Sequence, residues 1–285
     1  MNLLGCRRSF ELPNAWQWEV TSQTSGREYR IFASVPNQEP PAGGFPVIYV
    51  LDANAVFATV TETLRVQSRR PEKTGVVPAV VIGIGYRTES PFSNERTYDF
   101  TLPREDGQPY SFKNRTFAEE GGAERFMQFI EEELKPAVEE AYPINRSQQS
   151  IIGHSLGGLF VLQMLLLHPQ TFQNYIAGSP SIHWNESFIF EEAERLAGRL
   201  QGLAEERRLL VAAGELETSH RMIENAETLH RKLTDLRSSG LTVEYKNFKD
   251  EAHVSVLAVL MSQGVRFALR SAGKPAENPD FADNK

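Results

Sequence analysis

Apolar positions fall into two spacings along the chain. Segments 16–22 and 29–35 alternate apolar and polar residues, and Thr24-Ser25-Gly26 lies between them. That pattern predicts an antiparallel opening pair. A Pro- and Gly-rich loop follows at 36–46. Segments 47–51 (Val-Ile-Tyr-Val-Leu) and 79–84 (Ala-Val-Val-Ile-Gly-Ile) are near-continuous apolar runs, as expected of strands buried on both faces of a parallel sheet. Between them 55–70 has helical character. From Ala123 onward Phe126, Phe129, Ile130, Leu134 and Val138 recur at helical spacing, with Pro136 placed to bend the helix. Further strands are predicted before residue 155 and at 174–177, 208–213 and 242–248. They alternate with helical stretches at 186–206, 220–238 and 254–270. Strands alternating with helices predict an α/β fold, a mostly parallel central sheet with helices on both faces. The expected layout is an extension at 1–14, one domain at 15–272 and a tail at 273–285. Two segments interrupt it: a polar, aperiodic, substrate-side loop at 86–121 and a lid-like insertion at 181–207.

Composition narrows the partners. With 285 residues, 40% of them apolar, the chain can bury a large core. A net charge of −7 argues against nucleic acid. The lone cysteine, Cys6, rules out an intramolecular disulfide framework and fits a reducing, cytoplasmic setting. Leu3-Leu4-Gly5-Cys6 has the look of a lipoprotein cleavage box, but too few residues precede it for a signal peptide. The longest apolar runs are too short to span a membrane. The expected partner is a small molecule; the sequence says nothing of oligomeric state.

The chemistry centres on residues 149–168. There Ile151-Ile152 leads into Gly153-His154-Ser155-Leu156-Gly157 and then into an expected amphipathic helix with a long apolar face. This is the nucleophile-elbow pattern of the α/β-hydrolase fold, in which a serine on a strained strand-to-helix turn projects above the sheet. A serine hydroxyl needs a base, and the base needs an orienting acid. Chain order in this fold is serine, acid, histidine. Of six histidines, His154 lies inside the elbow, His168 ends its helix, His183 precedes the acid position, and His220 and His230 fall in a predicted helix. His253, after the last strand, is the expected base. The acid is expected on Gly214-Glu215-Leu216-Glu217, three residues past the glycine at Glu217, with Glu215 the alternative. Oxyanion donors are expected from the backbone N–H groups of Leu156 and of Asn54, with Ala53 next. Asp52 as a metal ligand is the weaker reading, since no second ligand sits at suitable spacing. No zinc site, phosphate loop or dinucleotide fingerprint is present, so neither a cofactor nor a bound metal is expected.

Several segments together resemble the esterase D-like hydrolases. They are Tyr49-Val50-Leu51-Asp52-Ala53-Asn54-Ala55, Val81-Ile82-Gly83-Ile84-Gly85-Tyr86, Arg96-Thr97-Tyr98-Asp99-Phe100-Thr101, the elbow, Ser179-Pro180-Ser181-Ile182 and Gly214-Glu215-Leu216-Glu217. Within that family the set is most similar to bacterial ferri-siderophore esterases, which open the trilactone of catecholates such as bacillibactin and enterobactin. The chain departs at Ala53, where the family usually has glycine, and at His183, where it often has an aromatic. The resemblance implies a ferric catecholate substrate, planar, anionic and π-rich. Arg87, Arg96, Arg104, Lys113 and Arg115, interleaved with Tyr86, Tyr98 and Tyr110, would suit it. Arg96 and Arg115, with His183 and Trp184 as pocket wall, are the expected substrate contacts. Competing readings are a general carboxylesterase or thioesterase for small acyl groups, S-formylglutathione included, and a non-catalytic binding protein that kept the fold.

Overall fold

The computed structural model describes residues 9–104, 111–112, 115–116 and 119–270. The Leu3-to-Cys6 box, Lys113, Tyr110 and the tail lie outside the described residues, as does the side chain of Arg115. The chain runs β1 (Ala15–Thr21), β2 (Glu28–Ser34), β3 (Phe45–Leu51), α1 (Ala53–Gln67), the short α2 (Pro71–Thr74) and β4 (Val80–Gly85). Next come α3 (Arg96–Phe100), the two-residue strands β5 (Ser111–Phe112) and β6 (Arg115–Thr116), α4 (Ala123–Gln128) and α5 (Lys135–Ala141). Then follow β7 (Ile144–His154), α6 (Leu156–Leu167), β8 (Asn174–Gly178), α7 (Glu186–Leu200), β9 (Arg207–Gly214), α8 (Met222–Thr234), β10 (Leu241–Phe248) and α9 (Val256–Leu269).

Eight strands form one sheet in the order β1-β2-β4-β3-β7-β8-β9-β10. β1 and β2 are antiparallel, β2 is antiparallel to β4, and from β4 to β10 every pairing is parallel. The apolar runs of the inner strands feed both faces by simple alternation. Val47, Tyr49, Leu51, Ile151, Leu209 and Val211 face a core built with α4, α6, α7 and α8. Ile48, Val50, Ile152, Leu210 and Ala212 face a second core under α1 and α9. The 181–207 segment joins the first of these cores through Ile182, Ile189, Ala193, Leu196 and Leu200.

Three local features differ from the sequence expectation. The helix after the elbow is not amphipathic: Leu156 through Leu166 are all buried, because α3 and α7 cover the side that a surface helix would give to solvent. Before Pro136 the helix widens into a π turn at Phe129–Leu134 rather than simply bending. Proline has no N–H for the carbonyl four residues back and its ring crowds that carbonyl, so a wider turn accommodates it. Finally, the polar 86–121 segment contains α3, with Thr97, Asp99 and Phe100 buried.

Candidate active site

Four consecutive strand ends deliver the site. Ser155 follows β7, Ser179-Pro180-Ser181 follows β8, Glu217 follows β9 and His253 follows β10, all at the carboxyl edge of the parallel sheet, where ligands bind in open α/β sheets. Ser155 sits at φ 59°, ψ −117°, the strained turn that lifts its hydroxyl off the strand. Gly153 permits that turn, for a Cβ there would lie 2.2 Å from the carbonyl oxygen of Gly157.

Ser155 Oγ is 3.0 Å from His253 Nε2, and His253 Nδ1 is 2.9 Å from Glu217 Oε2. The other Glu217 oxygen accepts from the Gly214 amide at 2.8 Å and from Ser179 Oγ at 2.5 Å. Burial pushes the Glu217 carboxyl up, but the hydrogen bonds from His253, Ser179 and Gly214 outweigh it and hold the group below the usual carboxylate range. Glu215 does a different job. Its carboxylate accepts the Asp250 amide at 2.9 Å, on the exposed flank of the His253 loop. Backbone bonds from Glu215 N to Phe248 O and from Leu216 N to Glu251 O, both 2.9 Å, zip the Glu217 loop to the His253 loop. Gly214 makes that approach possible, because a Cβ there would sit 2.4 Å from Glu251 O. The Glu217–His253 spacing is thus set by paired backbone.

Two further neighbours had no role in the sequence reading. Ser181, 5% exposed, places its Oγ 3.3 Å from Ser155 Oγ. His154 is buried, with its ring centroid 4.7 Å from that of His253 at a 41° tilt. Burial first, and then His253, push the His154 pKa down to about 3, so it stays neutral beside His253. Ser179-Pro180-Ser181 stood out in the sequence only as a motif.

The predicted substrate contacts fare unevenly. Arg96 is not a free cation: Nε and Nη2 donate to Asp52 at 2.7 and 2.8 Å, Nη2 reaches the His154 carbonyl at 3.3 Å, and the side chain is 12% exposed. Both Asp52 oxygens are spent on that pair, which also removes the metal-ligand reading of Asp52. Trp184 belongs to the core, 4% exposed, with its carbonyl accepting from Arg104 at 2.8 Å. His183 is half-buried and stacks on His220 with centroids 4.5 Å apart; burial, then His220 and His253, push its pKa down to about 4. Asn54 lies in the first turn of α1, and its side chain pins the start of the 86–121 segment. It donates to Tyr86 O and Thr88 O at 3.0 and 2.9 Å and accepts from Tyr86 N at 2.8 Å. Leu156 opens α6. Among the described residues no group of three or more His, Cys, Asp or Glu is placed to hold a metal ion.

Comparison with known proteins shows the family. The family model described as "Putative esterase" matches residues 22–254. The chain belongs to the esterase family. It is 48% identical over 272 residues to the ferri-bacillibactin esterase BesA of Bacillus subtilis, covering 94% of each chain. It is 35% identical to the siderophore enterobactin esterase of Emericella nidulans, covering 89% of this chain and 93% of that one. The crystal structure of the BES protein from Bacillus cereus superposes with a TM-score of 0.86 at 40% identity, covering 92% of this chain and 98% of that one. Like those proteins, this esterase has the α/β-hydrolase fold and is a carboxylic-ester hydrolase.

Proposed function

We propose that this protein is a serine esterase that cuts the ester bonds of a ferric catecholate siderophore trilactone and so frees the iron. The observation that carries the chemistry is the continuous hydrogen-bond chain from Ser155 through His253 to Glu217. In it Ser155 Oγ attacks the ester carbonyl while His253 Nε2 takes its proton. His253 then returns the proton to the leaving alcohol, and Glu217 holds the ring in the required tautomer. The backbone N–H groups of Leu156 and Asn54 are the proposed oxyanion donors. Each lies in a first helical turn, whose amides lack intrahelical acceptors and are therefore open to developing negative charge. Supporting the substrate are relatives named for ferri-bacillibactin and for enterobactin, two catecholates that share the trilactone linkage. Iron enters as cargo of the substrate, with no resident cofactor, and the proposed setting is the cytoplasm.

Ser155→Ala is expected to lower turnover on both p-nitrophenyl butyrate and a ferric catecholate trilactone by roughly 10⁴- to 10⁶-fold. Wild-type turnover by that variant would end the serine reading. For the substrate, mass spectrometry of products from ferric trilactone, metal-free trilactone and simple acyl esters, S-formylglutathione included, is the decisive panel. A ferric trilactone with the highest kcat/KM supports the assignment, and preference for the small acyl esters would replace it. His183 is proposed to border the substrate, so His183→Ala should raise KM for the trilactone and spare p-nitrophenyl butyrate.

A further inference from the structure

The tripeptide Ser179-Pro180-Ser181 touches both ends of the triad. Ser179, at φ 41°, is anchored by its amide to Ala212 O at 2.6 Å and gives its hydroxyl to Glu217. Two residues on, Ser181 donates its amide to the Ser155 carbonyl at 3.1 Å and carries its own hydroxyl to the nucleophile, 3.3 Å away. The Ser181 carbonyl in turn accepts from Trp184 N at 3.0 Å, so the turn is held from both directions. Inside the protein, a hydroxyl at that distance from a reacting oxygen is part of the reaction's surroundings.

The direction of the contact follows from the rest of the chain. Glu217, held ionised, can only accept, so His253 Nδ1 carries a proton, and in the neutral imidazole that general-base action requires, Nε2 is the acceptor. Ser155 therefore donates its single proton to Nε2. The contact between the two serines can then run only one way, from Ser181 O–H to a lone pair of Ser155 Oγ.

We propose that Ser181 is a further catalytic residue, a hydrogen-bond donor to the nucleophile's oxygen whose main effect falls on deacylation. The inference rests on the serine-esterase reading above. In acylation the bond from Ser155 Oγ to the acyl carbon forms, the carbonyl π pair moves to the carbonyl oxygen, and the serine proton passes to His253. Collapse expels the alcohol, which leaves with the bond pair and takes that proton. Ser181 occupies one lone pair of Oγ and leaves the other to attack. In deacylation a water gives a proton to His253 as its oxygen bonds to the acyl carbon. The carbon–Oγ bond then breaks, its electron pair stays on Ser155 Oγ, and His253 reprotonates that oxygen. Negative charge develops on Oγ in this step, and a preplaced donor there is strengthened by the charge. The proton of Ser181 is never transferred.

The test compares wild type with Ser181→Ala and Ser181→Thr on p-nitrophenyl butyrate, by stopped flow and intact-protein mass spectrometry. Ser181→Ala is expected to slow decay of the butyryl-enzyme by on the order of ten- to a hundredfold, with a near-normal acylation burst and accumulation of the covalent species. Ser181→Thr keeps the hydroxyl and should restore decay. If the alanine chain does not fold, Ser181→Cys, with a weak donor of similar size, carries the same expectation. Wild-type decay in these donor-poor variants, or equal loss in both steps with no acyl-enzyme, would overturn the proposal. Failure of the serine reading itself shows separately, as activity surviving in Ser155→Ala.

Discussion

At the scale of single residues, two glutamates two positions apart have different environments. Glu217 is 4% exposed and gathers donors from His253, Ser179 and Gly214. Glu215 faces solvent and caps the Asp250 turn. In the proposed mechanism an acid at the Glu217 position fixes the tautomer of His253, whereas one at the Glu215 position braces a loop. Glu217→Gln should therefore lower kcat by about 10⁴-fold on a neutral ester, since the amide can donate to Nδ1 and impose the wrong tautomer. Glu215→Gln should stay within about tenfold of wild type, because an amide oxygen still accepts from Asp250. Steady-state kinetics on p-nitrophenyl butyrate compares them directly, and an inactive Glu215→Gln beside an active Glu217→Gln would reverse the assignment.

Between elements, the Arg96–Asp52 pair ties α3 to the β3–α1 turn beneath the elbow. Asp52 is 4% exposed, and at φ 52° it caps α1 without a side-chain bond to it. Removing the arginine leaves a buried carboxylate unpaired, at a cost of about 3–5 kcal/mol. Arg96→Met should lose that much in urea denaturation of the ligand-free protein, and adding Asp52→Asn should recover most of it. A residue that only greeted substrate would leave ligand-free stability untouched and raise KM instead, the outcome that would restore Arg96 to the pocket. This pair also marks where the sequence stops being legible. The strands at 47–51 and 79–84 announce themselves because alternate residues of each run must fill two cores. Ser155, His253 and Glu217 are readable because strand order restricts where each can come from. Arg96 and Asp52 are 44 positions apart, and nothing in either segment says that each neutralises the other. Ser181 likewise shows only as a motif without a partner, whereas the full burial of α6 is written in residues 156–167, which carry no polar face.

On the scale of the whole molecule, a buried carboxyl of the 86–121 segment adds another tie to the sheet. Asp99, 1% exposed, accepts from Tyr86 Oη at 3.0 Å and Tyr29 Oη at 3.3 Å, and Arg27 Nε lies 3.3 Å away. These groups come from the end of β4, from β2 and from the turn before β2. Burial dominates and pushes the Asp99 pKa up to about 7, against the pull of Arg27 and both hydroxyls and with a small push from Glu95. A folded-state value above the unfolded one means that the native protein holds the proton more tightly. The stabilisation is full below the unfolded value near 4 and is lost as pH rises through about 7. Other carboxyls run the opposite way: despite burial, hydrogen bonds hold Glu217 and Glu133 low, so their contributions fade as pH falls. Raw stability against pH mixes both slopes, and Asp99→Asn separates them by keeping an acceptor for the tyrosines without a charge to bury. Wild-type stability minus that of Asp99→Asn, from urea denaturation between pH 4 and pH 9, should fall by on the order of 4 kcal/mol as pH rises to about 7 and then level off. A difference that stays flat across that range would mean that Asp99 is ionised throughout, with Arg27 carrying the fastening as an ordinary buried ion pair.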